Sequence, residues 1–373
     1  DRAGTYVDNN YSPVVGFGHR RLKIIDLSES AHQPMSNEDK TIWIVFNGVI
    51  YNFQELRKTL LDKGHKFISH SDTEVIVHLY EEAGIDCVKK LRGMFAFAIW
   101  DSKNKLLLLT RDRLGKKPLL YAYKNGIFSF ASEFMALIAG GNISKEVNLE
   151  AIPEYITFGY IPAPASIYKD IYKLLPGHIL ILRDRQITTQ RYWQLDYTKK
   201  INISFQDAAE QAGSLLEEAV KIRLYSDVPL GAFLSGGVDS STVVGLMHKF
   251  SSGNRVKTFS IGFDDKDFDE LKYARIIAQH FNTEHHEFIV KPNALEILPE
   301  LVERYGEPYA DSPDKGNLMV SGDLLPLASP RFESGPPGFE AIELPRLVDR
   351  AIRASEMLDL SKLVIKKAEK VWT

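Results

Sequence analysis

Cysteine is nearly missing. One in 373 residues rules out an internal disulfide and fits a reducing cytosol. Long apolar runs are missing as well. Stretches such as Ile42 to Phe46 and Leu106 to Leu109 are far too short to cross a bilayer, so no membrane partner is expected. The opening residues carry no leader pattern. Neither charge sign dominates: 46 Lys and Arg stand against 49 Asp and Glu. The net charge of -3 gives no basic face for nucleic acid. Internal repeats are absent. The remaining composition, 44% hydrophobic and 25% charged, is enough for two domains with sizeable cores. The chain opens on Asp1 rather than Met, so we expect sequence missing ahead of it.

Residues 1 to 195 alternate β-branched and aromatic runs with turns. Thr41 to Phe46, Leu106 to Thr110 and Gly126 to Ala131 predict strands. A helix is expected after Asn52, with Glu55 completing a capping-box pattern and Gly64 ending it. A second is expected after Ser71, with Glu74 in the matching place and Gly84 as the stop. Strands with few helices imply a layered α+β domain.

Asp196 to Ser204 is polar and reads as a linker. From Phe205 the pattern changes. Helices are expected over 205–223, to Phe250, from Asp269 to Phe281 and from Asn293 to Arg304. Strands are expected at Pro229 to Leu234, Val256 to Gly262 and Glu287 to Val290. This alternation implies an α/β domain with a parallel sheet and helices on both faces. Beyond Asp311, Pro326, Pro330, Pro336, Pro337 and Pro345 break the periodicity, and a last helix is expected from Arg346 to Val371.

The sharpest local signal is Leu234-Ser235-Gly236-Gly237-Val238-Asp239-Ser240-Ser241, set between a strand and a helix. Paired glycines let backbone approach a ligand, and a helix start offers free N–H groups and a positive dipole end. A carboxylate beside a polyphosphate needs a cation between them, so Asp239 points to Mg²⁺. No Lys follows the glycines, so this is not a Walker A loop. The plain alternative is a turn in an αβ connection.

Ser235-Gly236-Gly237-Val238-Asp239-Ser240 resembles the pyrophosphate loop of the N-type ATP pyrophosphatases. Val228 to Leu234 before it, and Thr258-Phe259-Ser260-Ile261-Gly262-Phe263 followed by Phe268-Asp269-Glu270 after it, resemble the asparagine synthetases (glutamine-hydrolysing) in particular. That resemblance implies ATP binding by Leu234, Ser235, Gly236, Gly237, Asp239, Ser240, Ser241 and Ile261, with Mg²⁺ on Asp239. For Leu234 and Ile261 simple sheet core is the alternative.

The first half is similar to the class II glutamine amidotransferases, an N-terminal nucleophile-type fold. The match runs through Gly18-His19-Arg20-Arg21-Leu22, His32-Gln33-Pro34-Met35 and Phe46-Asn47-Gly48. It continues through Ser71-Asp72-Thr73-Glu74, Gly93 to Ala98 and Arg111-Asp112-Arg113-Leu114-Gly115. The resemblance implies glutamine binding by Arg21, Leu22, Asn47, Gly48 and Asp72. Arg21 would fork onto the α-carboxylate and Asp72 would accept from the ammonium. Asn47 and the Gly48 N–H would donate to the oxyanion. Taken singly, each has a plainer reading. Arg21 could be a surface ion pair, Asn47-Gly48 a tight turn, and Asp72 a helix-start acid.

The family's nucleophile is an N-terminal cysteine, and the chain begins after the position that resemblance gives it. Cys87 reads as a buried structural thiol, so no glutaminase activity is expected of this chain alone. Where the family has Glu, Val49 follows the Asn-Gly pair. Val320-Ser321-Gly322-Asp323 resembles a displaced remnant of a later phosphate-side loop, which would add Ser321 and Gly322 to the ATP site. The expected domains are 1–195 (amidotransferase), 205–325 (ATP-binding) and an unassigned tail, 326–373. Glutamine, aspartate and ATP are the implied partners, the cytoplasm is the implied location, and a homodimer is left open. His285-His286 is a poor metal pair, because adjacent strand residues face opposite ways.

Overall fold

The structure, a computed structural model, describes residues 2–263, 270–290, 299, 302–309, 340 and 341. Most of the helix expected at Asn293 to Arg304, the one at Arg346 to Val371, and Ser321 and Gly322 lie outside them. The chain divides into two compact units, Asp1–Leu195 with Ala294–Leu318, and Asp196–Asn293 with Met319–Thr373.

The first unit opens with β1 (Arg2–Asp8), β2 (Val15–Arg21), β3 (Met35–Ser36) and β4 (Ile42–Ile50). Helices α1 (Phe53–Asp62) and α2 (Asp72–Ala83) follow. Then come β5 (Gly93–Asp101), β6 (Leu106–Arg111), β7 (Leu120–Lys124), β8 (Ile127–Ala131), α3 (Phe134–Ala139) and α4 (Ala151–Phe158). Strands β9 (Tyr172–Lys173), β10 (His178–Arg183) and β11 (Gln186–Arg191) close it. The main sheet runs β11-β10-β6-β5-β4-β3, with every pair antiparallel.

Both faces of this sheet are covered, which explains why β5 is an almost unbroken apolar run. Phe95, Phe97 and Ile99 join one core with Ile44, Phe46, Leu108 and the α1 and α2 residues Leu60, Val75 and Ile76. Ala96, Ala98 and Trp100 join the opposite core with Val45, Leu107, Leu109 and Phe17 of β2. Trp100 Nε1 donates to the buried Asp8 carboxylate at 2.9 Å, which ties β1 to this second layer.

Ser71 caps α2 by accepting from Thr73 N, but the expected reciprocal bond is diverted. Glu74 reaches instead to Ile68 N and Ser69 N, each at 2.7 Å. Asn52 makes no cap for α1. Its amide bridges Lys90 O and Arg92 N, fastening the helix start to the strand ahead of it. Later chain also belongs to this unit. Glu307 pairs with Lys173 where both side chains are only 14% exposed, and a Cβ at Gly306 would meet Phe134 at 2.5 Å.

The second unit holds α5 (Phe205–Lys221), β12 (Leu230–Phe233), α6 (Val238–Phe250), β13 (Lys257–Phe263), α7 (Leu271–His280), β14 (Glu284–Val290) and the two-residue β15 (Glu340–Ala341). Its sheet, ordered β14-β13-β12-β15, is parallel throughout. Leu216 and Val220 of α5, Val243, Val244 and Met247 of α6 and Ile277 of α7 share one core with Ala232 and Leu234. Strand β14 starts three residues before the expected Glu287, because Thr258 in β13 hydrogen-bonds both Thr283 and His285. No helix among the described residues is long and apolar enough to cross a membrane.

Candidate functional site

In the first unit the matched segments converge on the end of β4. Asn47 and Gly48 are strand residues, paired with Ala96 and Phe95 of β5, so they are not a tight turn. The Phe46 backbone just before them is clamped from two sides. Its N–H donates to Gln33 Oε1 at 2.6 Å, and its carbonyl accepts from His19 Nε2 at 3.0 Å. Gln33 Nε2 in turn reaches Thr73 Oγ1 on α2 at 3.3 Å. The sequence reading matched His19 and Gln33 only as members of motifs and missed this positioning role. A polar side chain inside an otherwise apolar pattern is the signal that could have found it.

Asn47 is half-buried, and its amide donates to Ser132 Oγ at 3.4 Å. Gly48 is fixed by close approach, since a Cβ there would sit 2.2 Å from Met94 O. Gly48→Ala is expected to lower unfolding free energy by about 2–3 kcal/mol, measured by urea denaturation, because backbone on the facing strand cannot yield. Val49 lies in the main core, so a contact there with a ligand would have to come from its backbone.

Asp72, the first residue of α2, is buried, and its Oδ2 accepts from Ile50 N at 2.8 Å. Burial pushes its carboxyl up to about 6, against the pull of backbone donors and of Arg21. Arg21 is also buried, not on the surface. Its expected fork toward a ligand carboxylate is turned into the following turn. Nη2 donates to Ile25 O at 2.8 Å and to Asp26 O at 2.5 Å, and Nη1 donates to Ser28 O at 3.2 Å. Leu22 beside it is 58% exposed. Arg111 and Asp112 of the last matched segment are architectural. Asp112 accepts from the N–H groups of Phe95, Leu114, Lys116 and Lys117, and Arg111 donates to three carbonyls. Cys87 is fully buried, and burial pushes its thiol up to about 12, so it supplies no thiolate.

In the second unit the glycine loop joins β12 to α6. Gly236 has φ +84, and a Cβ on it would lie 2.5 Å from the Tyr273 carbonyl carbon in α7. Gly237 is the N-cap of α6 and, as a glycine, brings no side-chain cap to the first turn. The loop is organised by Ser240 Oγ, which accepts from Ser235 N at 3.3 Å and lies 3.1 Å from Ser235 Oγ. Ser235 and Gly237 are exposed, Asp239 is half-buried in the first turn, and Ser241 is buried. An uncapped helix start, two glycines and two serine hydroxyls form a cradle that fits an anion, with a carboxylate placed to share a cation. Leu234 belongs to the core. Its N–H donates to Phe259 O and its carbonyl accepts from Ser260 Oγ. Ile261 is half-buried on β13.

Comparison with known proteins follows the same division. Residues 1–193 match the glutamine amidotransferase domain family, and residues 211–324 match the asparagine synthase family. A Methanocaldococcus jannaschii protein with a provisional asparagine synthetase (glutamine-hydrolyzing) name is 42% identical, over 83% of this chain and 63% of that protein. Asparagine synthetases (glutamine-hydrolyzing) 1 and 3 of Bacillus subtilis are 38% and 36% identical, over 80% and 75% of this chain. The chain spans 46% and 48% of those two proteins.

Proposed function

The chain belongs to the glutamine amidotransferase domain family, and from that premise we propose that it serves the glutamine-dependent synthesis of asparagine. The observation that carries this reading is the pairing, on one chain, of an amidotransferase domain with a second unit that matches asparagine synthase and has an anion cradle at a strand–helix junction. In this reading the first unit binds glutamine at the end of β4. Asp72 accepts from the ammonium group, and Asn47 with the Gly48 N–H faces the amide oxygen. Glutamine hydrolysis needs a thiolate, which Cys87 does not provide.

In the second unit Ser235, Gly236, Gly237, Ser240 and Ser241 would hold the phosphates of ATP, and Asp239 would share Mg²⁺ with them. Leu234 and Ile261 would shape the adenine side. ATP supplies the activation of the aspartate β-carboxylate that ammonia then attacks. The reaction takes place in the cytoplasm, which suits a chain with a single free thiol.

Calorimetry of Mg-ATP with the wild-type chain and Asp239→Ala tests the second site. We expect saturable binding that the substitution weakens at least about tenfold, since it removes a charge-assisted cation contact. Equal affinity in both proteins would remove Asp239 from the site. No binding in either would count against an ATP site in this unit.

A further inference from the structure

A second cluster of chemistry-bearing side chains lies in the first unit, away from the end of β4, and the readings above do not use it. Glu38 comes from the turn between β3 and β4, His65 from the α1–α2 connection, and His78 and Glu81 from successive turns of α2. Each offers one ligand atom, and these four atoms lie within 4.8 Å of one another. From this geometry we propose that Glu38, His65, His78 and Glu81 form a site for a divalent transition metal of the zinc class.

Composition is the first argument. Two imidazoles and two carboxylates are a borderline nitrogen and oxygen donor set suited to Zn²⁺, and the two negative charges balance the ion. Spacing is the second. His78 Nδ1 lies 2.8 Å from Glu81 Oε2 and 3.6 Å from Glu38 Oε2, and His65 Nδ1 lies 3.6 Å from Glu81 Oε2. Ligand atoms about 2.0 Å from a tetrahedral ion stand about 3.3 Å apart, so small shifts would close the shell.

The third argument is the outer layer. A metal-binding histidine usually presents its other ring nitrogen to a carboxylate, which fixes the ring. His65 does so here, its Nε2 meeting Glu82 Oε1 at 3.1 Å. His78 Nε2 faces Glu74 Oε1 at 3.7 Å, beyond hydrogen-bond length. Glu74 is itself held by Ile68 N, Ser69 N and Ser69 Oγ. The two carboxylate ligands are tethered in the same manner. Glu81 Oε1 accepts from Asn37 Nδ2 at 2.8 Å, and Glu38 Oε1 accepts from Lys66 N at 3.1 Å. Glu38, His65 and Glu81 therefore each turn one polar atom inward and anchor the other.

Burial is graded to match. The His78 side chain is 1% exposed, His65 14%, Glu81 24% and Glu38 42%, so an ion would enter past Glu38.

The competing description is a plain ion-pair network with protonated imidazoles. Titration of the metal-free chain with Zn²⁺ alone, read by calorimetry against a chromophoric chelator, separates the two. The site predicts one equivalent of Zn²⁺ bound with micromolar affinity or tighter. Co²⁺ in its place should give the intense visible absorption of a tetrahedral ion.

Glu38→Gln changes an exposed side chain, and circular dichroism and the melting temperature of metal-free His65→Ala check that the fold survives loss of a half-buried ring. Each should weaken Zn²⁺ by roughly a hundredfold, and Glu82→Gln by roughly tenfold through the outer layer. Zn²⁺ should raise the melting temperature of the wild type but not of His65→Ala. Absence of a saturable equivalent, unchanged affinity in His65→Ala, or a weak octahedral Co²⁺ spectrum would overturn the proposal.

Discussion

Gly236→Ala is expected to damage the fold of the second unit, while Gly237→Ala next to it should leave that fold standing. At Gly236 two penalties combine. The residue sits at φ +84, where an L side chain costs about 1–2 kcal/mol. Its Cβ would also lie 2.5 Å from the Tyr273 carbonyl carbon and 2.6 Å from Ala274 N, and α7 backbone cannot move aside cheaply. Overpacking of that kind adds about 1–3 kcal/mol, so the sum is about 2–5 kcal/mol. At Gly237 the backbone is extended and the nearest atom to a new Cβ is Ser235 Oγ at 3.4 Å, an ordinary contact.

Differential scanning calorimetry with Mg-ATP titration distinguishes the two positions. Gly236→Ala should lose the second unit's transition, or lower it by many degrees, and lose binding with it. Gly237→Ala should melt within a few degrees of the wild type while binding ATP more weakly, because a methyl group then stands in the cradle. Wild-type stability in Gly236→Ala would mean that the loop does not lie against α7 as described.

Asp72→Asn should raise stability at pH 8 and leave it unchanged near pH 3. The folded carboxyl titrates near 6, against an ordinary value of 3.8. Below about pH 3 the group is protonated in both states and favours neither. As the pH rises from about 3 through 6 the unfolded chain gives up this proton first, so folding becomes less favourable. Above about pH 7 the loss is complete, at about 3 kcal/mol for a shift of about two units. Asparagine keeps an acceptor for Ile50 N and removes the charge. Its gain is reduced by up to about 1 kcal/mol, because Asp72 sits at the N-terminus of α2.

Urea unfolding of both proteins from pH 3 to pH 8, followed by tryptophan fluorescence, gives the difference directly. The two curves should meet near pH 3 and separate between about 3 and 7. Parallel curves would show that Asp72 is not the titrating group. Glutamine binding should move the other way and weaken in Asp72→Asn, because the carboxylate that accepts from the ammonium is gone.

The outcomes sort by how local the deciding contacts are. Strands β4, β6 and β8, the start of α2 at Ser71 and the strand–loop–helix around Gly236 depend on residues close together in the chain, and periodicity and capping chemistry exposed them. The part of Arg21 did not show, because its acceptors are the carbonyls of Ile25, Asp26 and Ser28. Any residue type offers a carbonyl, so only the path of the turn reveals the contact. Asn52 failed as a cap for a similar reason. Its partners at Lys90 and Arg92 lie across a whole helical hairpin. The start of β14 was missed because Thr283 and His285 are polar in sequence yet meet Thr258 inside the sheet. The cluster of Glu38, His65, His78 and Glu81 joins three segments. Only its helical part, a His and a Glu three residues apart on α2, could have been noticed beforehand.

The pairing of Lys173 with Glu307 bears on how the chain is made. Synthesis delivers Lys173 first, then the whole of α5 to β14, and only afterwards Glu307. Domains generally fold as units while the chain emerges, and contacts between distant positions form last. Until Glu307 appears, Lys173 keeps the Ile161 carbonyl as an acceptor but lacks the carboxylate that offsets its charge. The first unit therefore cannot be finished before Asp196–Asn293 of the second has left the ribosome. The two foldings are coupled in time by a thread that passes from the first unit to the second, returns, and crosses once more.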